Sequence, residues 1–283
     1  MYSQKIRLSA LLSNKKLFYS IAILVLFSGT LTAQRWEAGV FLGGANYAGD
    51  LALNIVPMET KPSAGLMGRY TFNEFFAFRQ SLSYASISAK DSVSKANVTR
   101  NLSFTSDIFE MSSIMEFNFE NFGINVLSRS STFYIFGGIS VFYFNPKTVY
   151  AGESFALQPM GLEGQTLEGG KKYSRVNIAV PLGVGYKFNL NRNFVFGVEA
   201  SARRTYTDFL DDVSGEYPNL TDLEDNQGRL PKTLSDRSSE NSREQLSRPG
   251  VSRGTNNIKD WYFMAGITLT YRFTNTNCSF SLF

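Results

Sequence analysis

The sequence predicts an all-β chain, with eight antiparallel strands closed into a transmembrane barrel that carries long loops at one end. Three observations lead there. Beyond residue 33 the apolar residues recur with a period of two rather than 3.6. Aromatic residues make up 14% of the chain, with 25 Phe and 14 Tyr, yet the mean hydropathy is only −0.14. The connections alternate between short and long. In a barrel standing in lipid, outward apolar and inward polar residues alternate, so no window looks strongly hydrophobic although the outer face is. A soluble sandwich also alternates. It does not call for aromatics near both strand ends or for a regular loop asymmetry.

The elements follow in order. The first strand, 35–43, places Trp36, Ala38, Val40 and Leu42 on one face and Glu37, Gly39, Phe41 and Gly43 on the other. The second, 64–72, turns Leu66, Gly68, Tyr70 and Phe72 outward and Arg69 and Thr71 inward. Asn73-Glu74 is a tight polar turn. The third, 76–88, has Phe78, Leu82 and Tyr84 outward and Arg79, Ser81 and Ser83 inward, with Gln80 interrupting the outward row. The fourth, 108–119, is the cleanest: Phe109, Met111, Met115, Phe117 and Phe119 out, Glu110, Ser112, Glu116 and Asn118 in. The fifth, 132–144, is apolar on both faces, so the pattern does not set its register. The sixth, 173–188, turns Val176, Ile178, Val180, Leu182, Val184 and Tyr186 outward; Pro181 lacks a ladder donor, so a bulge or kink is expected there. The seventh, 194–204, alternates Phe194, Phe196, Val198 and Ala200 with Glu199, Ser201 and Arg203. The eighth, 261–273, turns Trp261, Phe263, Ile267, Leu269, Tyr271 and Phe273 out against Thr268, Thr270 and Arg272.

These segments have the ~9–11 residues that cross an outer membrane at a tilt, or slightly more. The connections 73–74, 120–131 and 189–193 are the shorter set; 47–63, 89–107, 145–172 and 209–259 are the longer. Short periplasmic turns, long outer loops and an even strand count predict a barrel in the cell outer membrane, in contact with its lipid, with both termini periplasmic. Within the barrel region, 34–273, the stretch 219–257 is rich in Ser, Asn, Asp and Arg, and no period is evident. It is expected to be a disordered extracellular loop. Residues 274–283 form a short C-terminal tail.

Residues 1–33 have the layout of a secretory signal peptide: Lys5, Arg7, Lys15 and Lys16, then the apolar run 17–27, then small residues up to Ala33. The apolar run is shorter than the ~20 residues of a membrane-spanning helix. The chain has 28 basic and 24 acidic residues. Loss of the leader's four basic residues makes the remainder neutral, so the basic balance is no argument for nucleic acid. Cys278 is the sole cysteine and cannot form an internal disulfide.

The chain contains no histidine, which excludes Ser-His-Asp and Cys-His catalysis and His-based metal sites. No enzyme activity, cofactor or metal is expected. Gly164, Gly169, Gly170 and Lys171 imitate a phosphate loop only loosely, since the spacing is wrong and Lys172 follows in place of Ser or Thr. Asp208, Asp211, Asp212 and Glu216 cluster where the seventh strand ends, and are expected to form a solvated rim paired with Arg203 and Arg204. The inward charges are more informative. Glu37, Glu110, Glu116 and Glu199 face Arg69, Arg79, Lys187, Arg203 and Arg272. An eight-stranded barrel has room inside only for side chains. Charges there must pair, and a salt-bridged plug is preferred over a selective pore.

Five segments in order carry a family resemblance: FLGGANYAGDLA at 41–52, RNLSFTSDIFEMSSIMEFNF at 100–119, LQPMGLEGQ at 157–165, RRTYTDFLDDVSGEY at 203–217 and DWYFMAGITLTYRF at 260–273. Together they resemble the PorG-like outer-membrane barrels of the Bacteroidetes type IX secretion system. The resemblance implies a non-enzymatic accessory subunit that docks a periplasmic ring of partner proteins, and other subunits of the machinery, at the outer membrane. It supplies no functional residues to carry over. The small periplasmic face itself offers Asn73, Glu74, Glu120, Asn121, Asn125, Arg129 and Arg192 as contacts. The alternative is a free-standing barrel acting as a narrow pore or surface-binding protein.

Overall fold

The computed structural model describes residues 36–123, 128–241, 247–255 and 259–273. The expected leader, the tail with Cys278, and Asn125 lie outside the described residues. Among the described residues nine strands form: β1 (Trp36–Ala48), β2 (Lys61–Thr71), β3 (Phe76–Lys90), β4 (Ser103–Asn118), β5 (Ser131–Tyr150), β6 (Glu153–Ala156), β7 (Val176–Asn189), β8 (Phe194–Thr205) and β9 (Trp261–Arg272). All pairings are antiparallel. β1 pairs with β2 and β9, and β4 pairs with β5, so eight strands close into a barrel. β6 lies outside that ring, paired only with the far end of β5. Their hairpin turns on Ala151 and Gly152, at φ 51° and 85°, the left-handed pair that matches the twist of the strands it joins.

The outer face is an apolar belt between two aromatic girdles. At the short-turn end, rings touch in pairs: Trp36 with Tyr70 at 4.9 Å, Phe76 with Phe117 at 5.2 Å, Phe133 with Tyr186 at 4.7 Å and Phe194 with Tyr271 at 5.3 Å. At the long-loop end Tyr84 meets Phe109 at 5.3 Å, and Trp261 meets Phe263 at 6.5 Å. Exposed aliphatics such as Leu66, Leu82, Met111, Ile139, Leu182 and Ile267 fill the space between. The girdles stand eight to ten residues apart on β3, β5 and β9. That is about 26–33 Å of strand at ~3.3 Å per residue. A tilt of ~40° reduces it to a height of about 20–25 Å, the thickness of the apolar band of a lipid-embedded barrel.

Several strands run on past the belt, and this explains the fifth strand. Tyr134, Phe136, Phe142 and Phe144 face inward and are buried, while Phe133, Ile135, Ile139, Val141 and Tyr143 face lipid. Alternation fails there because Phe142 and Phe144 meet an apolar upper interior, while Tyr134 and Phe136 turn their rings to Lys187 and Arg79 in the lower half. Phe41, Tyr47, Ile87, Phe104, Ile108, Phe142, Phe144 and Met264 pack with Leu51, Leu157, Leu162, Leu210 and Leu234 from the loops. Gly183 and Gly185 of β7 make room for the inward rings, since a Cβ would come within 2.3 Å of Phe136 and 2.5 Å of Tyr134.

Two expectations of local structure are corrected. Pro181 causes no bulge: pairing with β5 lapses beside it but resumes in the same register, Gly137 opposite Leu182 and Ser140 opposite Ala179. One missing donor weakens the ladder without inserting a residue. The segment 219–257 is not a disordered loop where it is described. Helices Leu220–Gln227 and Arg229–Ser235 form, the first capped by the Asn219 side chain, which accepts from the Thr221 amide at 3.0 Å. Leu220, Leu223, Leu230 and Leu234 recur at helical spacing within the polar sequence; the first two and Leu234 are buried.

Candidate functional site

Seven of the nine inward charges form one network at the short-turn end, and the Glu110–Arg203 pair stands apart from it, nearer the long loops. Register does much of the positioning. Glu37 stands opposite Arg69 on β2 and Arg272 on β9, and pairs with them at 2.6 and 2.9 Å. Arg69 and Arg79 stand opposite each other on β2 and β3. Glu116, from β4, holds this like-charged pair together, at 3.0 Å from Arg69 and 3.3 Å from Arg79, and also takes Lys187 at 2.9 Å. Glu199 pairs with Arg79 at 2.7 Å and accepts from the Tyr134 hydroxyl at 2.8 Å. Higher up, Glu110 pairs with Arg203 at 3.4 Å and accepts from the Tyr262 hydroxyl. All nine side chains are at most 7% exposed. Five cations face four carboxylates, and aromatic faces meet the excess charge. Lys187 lies 4.5 Å from the Tyr134 ring, and Arg272 lies 5.5 Å from Phe122.

The turn between β4 and β5 makes a floor beneath this network. Phe122 is buried under Lys187 and Arg272. Its amide donates to the Glu74 carbonyl at 3.2 Å, and Asn189 Nδ2 donates to the Gly123 carbonyl at 2.8 Å. The residues named for periplasmic contact therefore separate into two kinds. Asn73 accepts from the Phe75 and Phe76 amides within its own turn, and the Glu74 carboxylate takes the Ser128 hydroxyl at 3.3 Å. The Asn121 carbonyl accepts from the Arg129 amide. Glu120 and Arg129 form an exposed ion pair at 3.7 Å, and Arg192 is exposed.

At the other end the long loops fold into a cap, and here the sequence reading of the acidic cluster is overturned. Asp208, Asp211 and Asp212 are buried; only Glu216 is exposed. They do not pair with Arg203, which points into the lumen, or with the exposed Arg204. The Tyr47 hydroxyl lies 2.7 Å from Asp211 Oδ2 and 2.9 Å from Asp260 Oδ1. The single hydroxyl proton is shared between two buried carboxylates, an arrangement that favours the neutral form of one of them. Burial pushes Asp211 up to about 8 and Asp260 well above the usual carboxylate range. Burial also raises Asp212, which accepts from the Tyr173 hydroxyl at 2.6 Å, to about 7, and Asp208 to about 6.

Two arginines that sequence reading missed brace the cap. Arg100 grips Asp91 at 2.7 and 2.9 Å and donates to the carbonyls of Arg253 and Asp50. Arg253 pairs with Glu163 at 3.0 Å and reaches the carbonyls of Ser235 and Asp212. Their partners lie up to 153 residues away in sequence. Among the described residues no cluster of carboxylates is arranged to hold a metal ion.

Residues 15–228 match the family described as domain of unknown function DUF6089, and the chain belongs to that family. No curated protein matches it. Similar solved structures are small surface barrels at low identity. Neisserial surface protein A is 7% identical, with a TM-score of 0.44, covering 84% of this chain and 97% of that one. The Yersinia pestis attachment invasion locus protein Ail, solved with the heparin analogue sucrose octasulfate, is 12% identical, with a TM-score of 0.37 over 83% and 99%. OprG from Pseudomonas aeruginosa is 8% identical, with a TM-score of 0.37 over 84% and 97%.

Proposed function

We propose that this chain is a non-enzymatic outer-membrane anchor whose short-turn face holds a periplasmic ring of the type IX secretion machinery against the membrane. The observation that carries the reading is the closed interior. Phe122 and the ion-paired network occupy the lower half, and an apolar core continuous with the cap occupies the upper half. A barrel filled in this way acts through its surfaces. Among the described residues the four lumen carboxylates are engaged by cations, and the chain has no histidine. The secretion role itself rests on the five motif segments that resemble PorG-like barrels. The topology supports termini on the periplasmic side, since both ends of the barrel lie at the short-turn end.

The face available to a partner is small. Such a contact falls below the ~1,000 Å² of a stable interface, but repetition around a ring raises avidity by ~10²–10⁴. Replacing the 120–131 turn outright is the wrong test, because it removes Phe122 and the floor. The test is the triple surface change Glu120→Lys, Arg129→Glu and Arg192→Glu. An exposed pair such as Glu120–Arg129 contributes only ~0–1 kcal/mol to folding, so the barrel should assemble normally while secretion and ring co-purification fall together. Assembly with both unchanged removes this face as the contact. Intact secretion after deletion of the gene removes the docking role. The folded cap gives some support to a second reading, a free-standing surface-binding barrel; co-purification of the wild-type chain without ring partners would favour it.

A further inference from the structure

A cleft of about 320 Å³ opens on the barrel wall above the upper aromatic girdle. Four cationic side chains line it, Lys61, Lys90, Lys147 and Arg237, with Ser103 and Thr105 between them, and no carboxylate is among its lining residues. Three nearby carboxylates are already engaged. Asp107 pairs with Lys147 at 3.3 Å and also accepts from the Tyr84 hydroxyl of the girdle. Glu240 pairs with Arg237 at 2.9 Å, and Glu59 accepts from the Ser88 hydroxyl at 2.5 Å. Lys61 and Lys90 have no ion-pair partner among the described residues; with the charge of Glu59 counted, four cations meet three nearby carboxylates, so the cleft keeps a net positive charge beside the Ser103 and Thr105 hydroxyls.

Its position narrows the class of ligand. By strand alternation Lys90, Ser103, Thr105 and Lys147 share the outward face with Tyr84, Phe109 and Tyr143. They lie four to six residues farther along the strands. That is about 13–20 Å of strand, or about 10–15 Å above the girdle at a ~40° tilt. Lysine stems bend back along a barrel wall toward the membrane surface. Lys61 belongs to the other face of β2, in register with the inward Ala45, and lines the cleft at the rim of the barrel; the four outward side chains turn the cleft toward the headgroups and the sugars carried on them.

We propose that this cleft binds a phosphate group of a phosphorylated glycolipid headgroup in the surrounding leaflet. Lys61 and Lys90, which have no ion-pair partner among the described residues, supply the net positive charge, Ser103 and Thr105 donate hydrogen bonds, and Lys147 and Arg237 close the sides. Soluble phosphate shares the chemistry. The outward wall position favours the lipid as its source, because a lipid phosphate is held in that layer at high local concentration.

The test uses the full mature chain refolded into phosphatidylcholine nanodiscs, with and without bisphosphorylated lipid A as a minor component. Native mass spectrometry after release counts retained lipid. The wild type should keep lipid A in preference to phosphatidylcholine. Lys61→Gln/Lys90→Gln should weaken that retention about thirty-fold, from two lost charges near the surface. Lys61→Arg/Lys90→Arg should restore it. Lys171→Gln/Arg229→Gln removes equal charge elsewhere and should leave retention unchanged. Circular dichroism checks that each variant is folded. Equal retention by the Lys61→Gln/Lys90→Gln variant, or an equal loss in the control, overturns the site. Inorganic phosphate that binds the wild type as tightly as lipid A does overturns the lipid as its source.

Discussion

Glu116→Gln is the sharpest perturbation of the lumen. The carboxylate is fully buried and holds three cations. Gln keeps the volume and one acceptor but removes the charge, leaving five cations with three carboxylates. Arg69 still has Glu37, and Arg79 still has Glu199. Lys187 has no other ion-pair partner, and the directly opposed arginines lose the anion between them. Breaking a buried pair from one side costs ~3–5 kcal/mol. The retained acceptor puts the expected loss at about 3 kcal/mol. Lys187→Met removes the stranded cation, so the double variant should recover at least ~1 kcal/mol of the summed single losses, as coupled neighbours do. Urea titration of the barrel in lipid vesicles, followed by Trp36 and Trp261 fluorescence, gives each value by linear extrapolation. A Glu116→Gln barrel within ~0.5 kcal/mol of wild type, the range of a surface change, or strict additivity of the double variant, refutes the network as a stabilising unit.

The remaining predictions concern the cap, the topology and the lumen. The cap should loosen as pH rises. Asp208, Asp211 and Asp212 have folded values of about 6, 8 and 7 against an ordinary 3.8, so between about 4 and 8 the folded state holds protons the unfolded state lacks, and that stability is lost on the way up. Hydrogen exchange of the 206–217 amides should quicken from pH 5 to pH 8.5, and Asp211→Asn should flatten the change; exchange that slows after correction for intrinsic rate refutes it. In a Cys278→Ser background, Asp225→Cys should react with an impermeant maleimide on intact cells and Arg192→Cys only after the outer membrane is opened; the reverse pattern inverts the topology. Purified wild-type protein in planar bilayers should show no steady conductance, and a stable large channel contradicts the closed interior.

The strand faces were legible because a membrane barrel enforces a period of two over its whole wall. The inward charges followed, since any charged residue in register with an outward apolar row has to face the lumen. The closed eight-stranded fold agrees with that reading. What failed were features set by contacts distant in sequence. The inner face of β5 looked ambiguous because Phe142 and Phe144 meet an apolar core built partly from loops. The acidic cluster looked solvated because its burial depends on Tyr47, Tyr173 and Arg253, each from another part of the chain. The helices of 220–235 were hidden because their four leucines are diluted by polar neighbours, and average composition conceals a spacing. Phe122 was treated as part of a simple connection, although a lone aromatic in a polar turn was a signal that could have been read.

These two halves of the interior divide the work of closing the barrel. A purely apolar interior would close it equally well, and replacing buried ion pairs with well-packed apolar residues is often neutral or stabilising. Stability alone therefore does not account for seven linked charges in the lower half and a leucine- and phenylalanine-rich core above them. Specificity of register does. A one-residue slip of β1 against β2 or β9 would send Glu37 into lipid and strand Arg69 and Arg272 together, a penalty that a slip between apolar rows lacks. The upper half needs no such device, because Arg100 and Arg253 pin the loops through specific carbonyls and carboxylates. On this reasoning the lower network sets the strand register while the barrel assembles, and the cap seals what that register has aligned. Both turn-bearing faces are then presented in fixed geometry.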